Sequence, residues 1–226
     1  MLVELHPMTE SFRKLLVATH NRGKVREYRQ LLTGLPIHVT YLDEEGIDLE
    51  VEETGESFEE NAVLKAITYA AASGLWTWAD DSGLEVDVLE GAPGVRSSRY
   101  AGPDASDEDR YRKLLGELAD VPWEERSARF RCVVAIATPD GDIRQAPGHC
   151  EGIIGLEPRG SHGFGYDPVF IVGESGRTMA ELEPEVKNRI SHRAVASMAA
   201  KDLLRDMLDR HGACGAGCTP EQGDGS

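Results

Sequence analysis

The sequence has no long apolar run, and none of its hydrophobic stretches approaches the ~18 to 20 residues that a membrane helix requires. Its N-terminus carries Glu4 and Glu10 and lacks the basic start and apolar stretch of a secretory signal. These absences argue against insertion into a membrane and against secretion. We therefore expect no membrane partner and a cytoplasmic location.

Basic residues are scarce, because 24 Lys and Arg stand against 40 Asp and Glu and leave a net charge of −16. Binding to a nucleic-acid backbone depends on clustered cations that displace counterions. The composition therefore argues against a nucleic-acid partner. A small anionic ligand needs only a local basic pocket, so clustered cations are the positions to follow.

Cysteine is also sparse, with four residues in a chain of 226. Cys132 and Cys150 lie in strand-like apolar stretches and are predicted to be small core residues. Cys214 and Cys218 lie in a Gly-rich tail, where two thiols without further Cys or His are weak evidence for zinc. A flexible tail with incidental thiols is the favoured interpretation.

Helical and strand patterns alternate unevenly along the chain, and one hairpin is clear, which predicts a mixed α/β sheet. The predicted strands cover 14–19, 37–42, 76–79, 84–89 (as an edge strand), 130–136, 142–150 and 169–172. The predicted helices follow Gly23, begin at Ser57, cover 106–118 and extend from near Ser191 to about Arg210. These elements divide the chain into an N-terminal extension (1–13), a single domain (14–211) and a flexible tail (212–226).

The first segment that can carry chemistry lies between a predicted strand and a helix. It consists of Thr19, His20, Asn21, Arg22, Gly23 and Lys24. Backbone amides at a helix N-terminus favour an anion, and Lys24 adds a positive charge. The segment is not a P-loop, because Ala18 stands where the first glycine would be. An ordinary turn capped by Thr19 or Asn21 is the alternative that the segment leaves open.

Two adjacent carboxylates, Asp80 and Asp81, precede Ser82 and Gly83 at the predicted end of a short apolar strand. Ligands of open α/β sheets gather at strand ends. Magnesium takes one or two carboxylates together with water and substrate phosphates, and a second carboxylate suits a general base. The pattern predicts a magnesium site, and a plain turn with an Asx-type hydrogen bond is the alternative.

Three further groups of polar residues have both a functional and a structural interpretation. Asn61 and Lys65 share one helix face, where they border a cleft or, for Lys65, point into solvent. Phe164 and Asp167, within a Gly-rich loop, suit stacking on a base and accepting from its N–H groups, or else form a rigid turn. Ser191 is a candidate helix N-cap. It would place two basic residues, His192 and Arg193, in the first turn of the helix, where the helix dipole disfavours positive charge.

These segments, in this order, resemble the inosine triphosphate pyrophosphatase family, the Ham1-like noncanonical purine nucleoside-triphosphate pyrophosphatases. The resemblance covers about residues 14 to 210. It rests on the 19–24 segment, Ser57-Phe58-Glu59-Glu60-Asn61-Ala62 with Lys65-Ala66, Asp80-Asp81-Ser82-Gly83-Leu84, Gly91-Ala92-Pro93-Gly94 with Ser98-Arg99-Tyr100, Phe164-Gly165-Tyr166-Asp167-Pro168 and Ser191-His192-Arg193. Each motif alone is weak, but six in order make chance agreement very improbable.

The resemblance implies an elongated α/β fold with two lobes around a central substrate cleft, a homodimer, and Mg²⁺-dependent hydrolysis of ITP, dITP and XTP to monophosphate and pyrophosphate. It implies that Asp81 is the proton acceptor and a magnesium ligand, with Glu53 as a second acidic ligand. The substrate-binding residues that it implies are Thr19, His20, Asn21, Arg22, Gly23, Lys24, Lys65, Ser82, Phe164, Gly165, Tyr166, Asp167, Lys187, His192 and Arg193. Many relatives have Gly where this chain has His20.

Two other functions compete with this prediction. A related housekeeping pyrophosphatase would act on modified pyrimidine nucleotides, although the Phe164–Asp167 and His192-Arg193 segments favour a purine. A nucleotide-binding sensor would bind ITP without releasing pyrophosphate, although Asp81 argues against it.

Overall fold

The computed structural model describes residues 12–173 and 176–213. Within them, one mixed sheet contains the strands β1 (Arg13–Val17), β2 (Ile37–Tyr41), β3 (Trp76–Val86), β4 (Ser127–Ala137), β5 (Ile143–Ile154) and β6 (Phe170–Val172). The strand order is β2-β1-β3-β4-β5-β6. Strand β1 is parallel to β2 and β3, and the remaining pairs are antiparallel. The predicted mixed α/β sheet is confirmed.

The α-helices of the described residues are α1 (Arg22–Leu31), α2 (Phe58–Ser73), α3 (Asp107–Glu117), α4 (Pro184–Ile190) and α5 (His192–Ala213). Local sequence sets several of their ends. Ser57 caps α2 by accepting from Glu60 N, and Gly74 ends that helix in the left-handed conformation that glycine favours. Ser191 caps α5 by accepting from Ala194 N, as predicted. Helix α4 was not predicted, because seven residues are too few to show a helical period.

Successive side chains along each strand point to opposite faces of the sheet, so the hydrophobic core is divided between the two faces. On the first face, Trp78 lies in a cluster with residues of α1 and α5, and on the second, Ala79 lies in a cluster with residues of α2. A third cluster, which includes Leu84 and residues of α3, lies farther along the first face. Asp80 and Ser82 therefore lie between two apolar clusters on the first face.

The prediction of two separate strands, 76–79 and an edge strand over 84–89, is wrong. Strand β3 is continuous from Trp76 to Val86 and lies between β1 and β4. The polar segment after Ala79 resembles a turn in composition, but Asp80 and Asp81 pair with Val134 and Val133 of β4. The carboxylates therefore lie inside a strand rather than at its end.

Cys132 and Cys150 are buried free thiols, as predicted. Cys214 and Cys218 lie outside the described residues, as does nearly all of the predicted N-terminal extension. Helix α5 continues to Ala213, and the rest of the predicted tail is likewise outside the described residues. No helix in the described part of the chain has both the length and the apolar character needed to cross a membrane.

Gly148 allows α5 to approach β5 closely. A Cβ atom at this position would lie 2.3 Å from Ala196 N and 2.5 Å from His192 O, both of them backbone atoms. We expect Gly148→Ala to lower the free energy of unfolding by about 1–3 kcal/mol, because the first turn of α5 must shift away from the sheet. Gly116→Ala, in α3, is the matched control in chemical denaturation, because among the described residues no heavy atom other than those of its chain neighbours and its own helix backbone lies within 4 Å of the added Cβ. Equal losses in the two variants would contradict this account.

Candidate active site

The loop after β1 is held by its own side chains. Asn21 caps α1, and its Oδ1 accepts hydrogen bonds from Gly23 N at 2.8 Å and Lys24 N at 3.1 Å. Thr19 Oγ1 accepts from Asn21 N at 3.1 Å. The capped turn left open by the sequence is therefore present, and two of the amides that could hold an anion are bonded to Asn21. The positive charge directed at the site comes from Lys24.

His20 lies on the exposed side of this loop. Its Nδ1 is 2.6 Å from Asp43 Oδ1, and both side chains are largely solvent-accessible. His20 thus ties the loop to the segment after β2 and is not among the residues that line the main cavity.

Asp80 and Asp81 lie on opposite faces of the sheet, because successive strand residues alternate. Asp80 is buried on the first face, where its Oδ2 accepts from Lys24 Nζ at 2.9 Å and lies 3.6 Å from Arg193 Nη2. Ser82 Oγ is 3.4 Å from the same oxygen. Burial opposes ionisation, but Lys24 and then Arg193 hold the pKa of Asp80 well below its usual range. Asp80 is therefore a fixed anion that positions two cations.

Asp81 faces α2 on the second face. Asn61 Nδ2 donates to Asp81 Oδ2 at 3.0 Å, and Lys65 Nζ lies 3.4 Å from Oδ1. Burial raises the pKa of Asp81, and Glu53 adds to the rise, although Lys65 opposes it. The environments of the two adjacent carboxylates thus move their pKa values apart, which is typical of sites with separate acid–base roles. Asp81 is the carboxylate suited to accept a proton.

Lys65 is 9% exposed and connects the two predicted magnesium ligands. Its Nζ contacts Glu53 Oε1 at 2.5 Å as well as Asp81, so the solvated interpretation of Lys65 is wrong. Arg99 Nη1 lies 3.6 Å from the other oxygen of Glu53. Glu53 and Asp81 both contact the Lys65 ammonium, and two carboxylates that share a cation in this way can also share a divalent ion.

The donor set around Asp81 fits Mg²⁺. Among the described residues, no group of three or more His, Cys, Asp or Glu could hold a metal ion. Magnesium does not need such a group, because it is commonly bound by one or two carboxylates together with substrate phosphates and water. Glu53 and Asp81 supply that minimum with hard oxygen atoms.

The edge of β3 at Asp80–Ser82 is open. Strand β1 pairs with β3 only as far as Trp78, and from there to Gly83 the described residues show β3 paired with β4 alone. Leu84 N closes the open stretch by donating to Ser97 Oγ. The open edge is short and separates the Asp80 face from the Asp81 face, so a ligand crossing it meets both.

A cavity of about 180 Å³ lies on the Asp80 face. It brings together ten of the predicted substrate-binding residues, namely Asn21, Lys24, Ser82, Phe164, Gly165, Tyr166, Asp167, Lys187, His192 and Arg193. Thr19, His20, Arg22 and Gly23 do not line it. Lys65 also does not, because it lies across the sheet with Asp81.

The cations of the cavity are held by a partly buried carboxylate that the sequence analysis missed, Glu27. Arg193 Nη1 contacts Glu27 Oε2 at 2.7 Å, and Lys187 Nζ contacts Glu27 Oε1 at 3.1 Å. Lys187 also donates to Asp167 Oδ2 at 2.7 Å, while Arg193 Nη2 donates to Ser82 Oγ at 3.2 Å. Arg193 and Lys187 lower the pKa of Glu27, although burial opposes them. These opposite charges explain how cations are tolerated near the start of α5.

His192 is an uncharged wall of the cavity. Its ring stacks on Phe130 with centroids 4.7 Å apart and 16° between the planes. Burial, followed by the nearby Arg193 and Lys187, lowers the pKa of His192 well below its ordinary value. Its Nδ1 is buried and has no hydrogen-bond partner. A neutral imidazole with a free nitrogen suits a polar atom of a base.

The loop of Phe164 to Asp167 is fixed by hydrogen bonds within the loop and to Lys187, Asp107 and Ser97. Asp167 Oδ2 accepts from Phe164 N at 2.9 Å and from Lys187, so the oxygen predicted to accept from a base already has two donors. Gly165 N donates to Asp107 Oδ2 at 2.7 Å, and Tyr166 OH donates to Ser97 O at 2.9 Å. Asp107 is a second residue that the sequence analysis did not find.

Comparison with known proteins agrees with this geometry. The model of the Ham1 family matches residues 15–203. The chain belongs to the Ham1 family. The family resemblance and the prediction of an enzyme, a nucleoside-triphosphate pyrophosphatase, are thereby confirmed.

Two relatives and one solved structure illustrate the match. The dITP/XTP pyrophosphatase of Geobacter sulfurreducens is 51% identical over 191 residues, which cover 84% of this chain and 96% of the relative. The dITP/XTP pyrophosphatase of Bacillus subtilis is 47% identical over 192 residues, which cover 85% of this chain and 97% of the relative. The structure of a HAM1 protein from Coxiella burnetii has a TM-score of 0.79 and 42% identity, covering 86% of this chain and all of that one.

Proposed function

We propose that this Ham1-family protein hydrolyses the noncanonical purine nucleoside triphosphates ITP, dITP and XTP to monophosphate and pyrophosphate, with Mg²⁺ as its cofactor, and so cleanses the nucleotide pool. The observation that carries the proposal is the separation of Asp80 and Asp81 across the open edge of β3. A nucleotide lying over this edge has its base in the cavity and its phosphates beside Asp81. The names of the relatives support the choice of substrates.

The residues at the open edge are suited to a polyphosphate. Lys24 lines the cavity at the N-terminal turn of α1, and Lys65 lies on the opposite face. Both are paired with carboxylates, Asp80 and Asp81, which hold the ammonium groups in place before substrate arrives. Phosphate oxygens would share these cations, and fixed charges of this kind need little rearrangement as negative charge develops in the reaction.

Hydrolysis would use Asp81 as the general base. The water oxygen forms a bond to one of the two phosphorus atoms joined by the α–β bridge, the bond from that phosphorus to the bridging oxygen breaks, and the nucleoside monophosphate and pyrophosphate separate. The proton lost by the water passes to the Asp81 carboxylate, whose raised pKa favours acceptance. Asn61 and Lys65 hold this carboxylate in position. When bound between Glu53 and Asp81, Mg²⁺ supplies positive charge that offsets the phosphate oxygens.

Base selectivity would follow from hydrogen-bond polarity. Lys187, His192 and Arg193 present N–H donors at the cavity, and the 6-oxo group of hypoxanthine or xanthine accepts from them. Adenine has an amine at this position, so a buried donor would face another donor and both would lack an acceptor. Polar sites of this type discriminate strongly against such analogues.

We expect pyrophosphate release from ITP and XTP to exceed release from ATP by at least roughly 100-fold in kcat/KM, because ATP leaves buried donors unpaired. The assay uses matched Mg²⁺ and includes dTTP and UTP, which test the pyrimidine alternative. Removing divalent ions with EDTA should abolish release, and adding Mg²⁺ back should restore it. Equal rates with ITP and ATP would rule out the proposed selectivity, and full activity in EDTA would rule out the cofactor.

The homodimer is also a proposal. It is supported by the resemblance alone, and sedimentation equilibrium of the purified protein would test it. A mass equal to one chain across the micromolar range would exclude it.

A further inference from the structure

A 6-oxo group does not distinguish xanthine and hypoxanthine from guanine, because all three bases carry oxygen at C6. The bases differ at C2, where xanthine has an oxygen acceptor, hypoxanthine a hydrogen and guanine an amine donor. Rejection of GTP by a site that accepts XTP therefore needs a group that contacts the C2 edge. Lys187, His192 and Arg193 are assigned to the 6-oxo group, so the C2 edge needs a contact from another residue.

Arg110 of α3 lines the same cavity. Its Nη1 donates to Asp107 Oδ1 at 2.6 Å, and its Nη2 donates to Ala105 O at 2.6 Å. Its Nε is buried and has no hydrogen-bond partner within residues 12–173 and 176–213. Leaving a buried N–H without an acceptor is costly, so a fixed side chain with one free donor at a cavity wall indicates a ligand acceptor.

The position of Arg110 differs from that of the other donors. His192 Nδ1 and Arg193 Nε are also buried without partners and belong to the start of α5. The ring of Phe164 lies next to the start of α5, with Arg193 Cζ 5.4 Å from the ring centroid. The next residue, Gly165, is instead bonded to Asp107, the partner of Arg110. The residues that carry these unpaired nitrogens therefore line the cavity from two elements, α5 and α3, on either side of the Phe164–Gly165 loop.

We propose that Arg110 is a specificity-determining residue whose Nε–H donates to the C2 oxygen of xanthine and disfavours guanine. This inference rests on the proposed function, since it assumes a purine base in the cavity. With the 6-oxo group on the His192 and Arg193 side, the C2 edge faces α3. The C2 oxygen of xanthine accepts a hydrogen bond from the free N–H, whereas hypoxanthine leaves that N–H without an acceptor. The C2 amine of guanine places a second donor against it.

The test is calorimetric binding of XMP, IMP and GMP, which have no phosphoanhydride bond to hydrolyse. Wild-type protein should bind XMP most tightly and GMP most weakly. Arg110→Met keeps an apolar stem and removes the donor, so we expect a roughly ten- to hundredfold loss for XMP. The affinity for IMP should change much less, and that for GMP should rise.

Asp107→Asn is the matched control, because it breaks the same ion pair but keeps an oxygen for Gly165 N. It should change the three affinities by similar factors. Equal losses of XMP and IMP in Arg110→Met, or equal binding of XMP and GMP by the wild type, would overturn the assignment. Failure of the proposed function is distinguishable, because absent pyrophosphate release from XTP leaves these binding ratios measurable.

Discussion

Asp81→Asn is expected to reduce pyrophosphate release from ITP by roughly 10³-fold, within the range that a positioned general base contributes. The amide has the size of the carboxylate but cannot accept the proton of water. It also replaces one of the two carboxylates that fit Mg²⁺ with a neutral amide. Because Asn61 and Lys65 remain in place around it, the fold should be kept, and circular dichroism with thermal unfolding verifies this.

The pH profile separates a catalytic from a structural role of Asp81. A base is active when deprotonated, so wild-type kcat should fall as the pH decreases through the raised pKa of Asp81. That acidic limb should disappear in Asp81→Asn. Asp80→Asn is the matched control on the same strand, and it should weaken substrate binding and stability while leaving the limb in place. An Asp81→Asn enzyme within tenfold of wild type would assign the base elsewhere.

The sequence predicted the features that depend on near neighbours. Gly74 and Ser191 lie at helix ends as predicted, because a cap bonds to residues a few positions away. The outline of strand, loop and helix around Lys24 was predicted for the same reason. Asp80 and Asp81 were correctly singled out, but as a strand end, since their composition resembles a turn and only pairing with β4 reveals a strand.

The features that the sequence could not reveal depend on distant partners. Lys65 resembles a solvated helix residue until Glu53 and Asp81 surround it. Glu27 resembles the polar side of an amphipathic helix, yet its partner Arg193 is 166 positions away. The only local signal was that Glu27 follows Lys24 by three residues and so shares its helix face. Arg110 had no signal, because its free Nε is visible only once the cavity is formed.

Arg193→Ala is expected to lower the free energy of unfolding by about 3–5 kcal/mol, because it removes a buried cation from Glu27 and Asp80 and leaves each carboxylate with one close cation, Lys187 or Lys24. Arg193 is 2% exposed and lies between Glu27, at 2.7 Å, and Asp80, at 3.6 Å. A base-contacting role alone would change turnover but not folding. We therefore expect a large drop in the urea midpoint together with a loss of the preference for ITP over ATP.

The double variant Arg193→Ala/Glu27→Gln tests the network directly. If the loss arises from the charge of Glu27, which then has Lys187 as its remaining close cation, neutralising Glu27 should recover part of it. The free energy of unfolding of the double variant should then fall by less than the sum of the falls in the two single variants. Arg205→Ala, on the same helix, removes an exposed arginine paired only with Asp202 and should leave the midpoint unchanged. Additive losses would show that the cost of removing Arg193 lies in packing rather than charge. In that case Glu27 would still hold Lys187, and the cavity would depend on Arg193 for its shape alone.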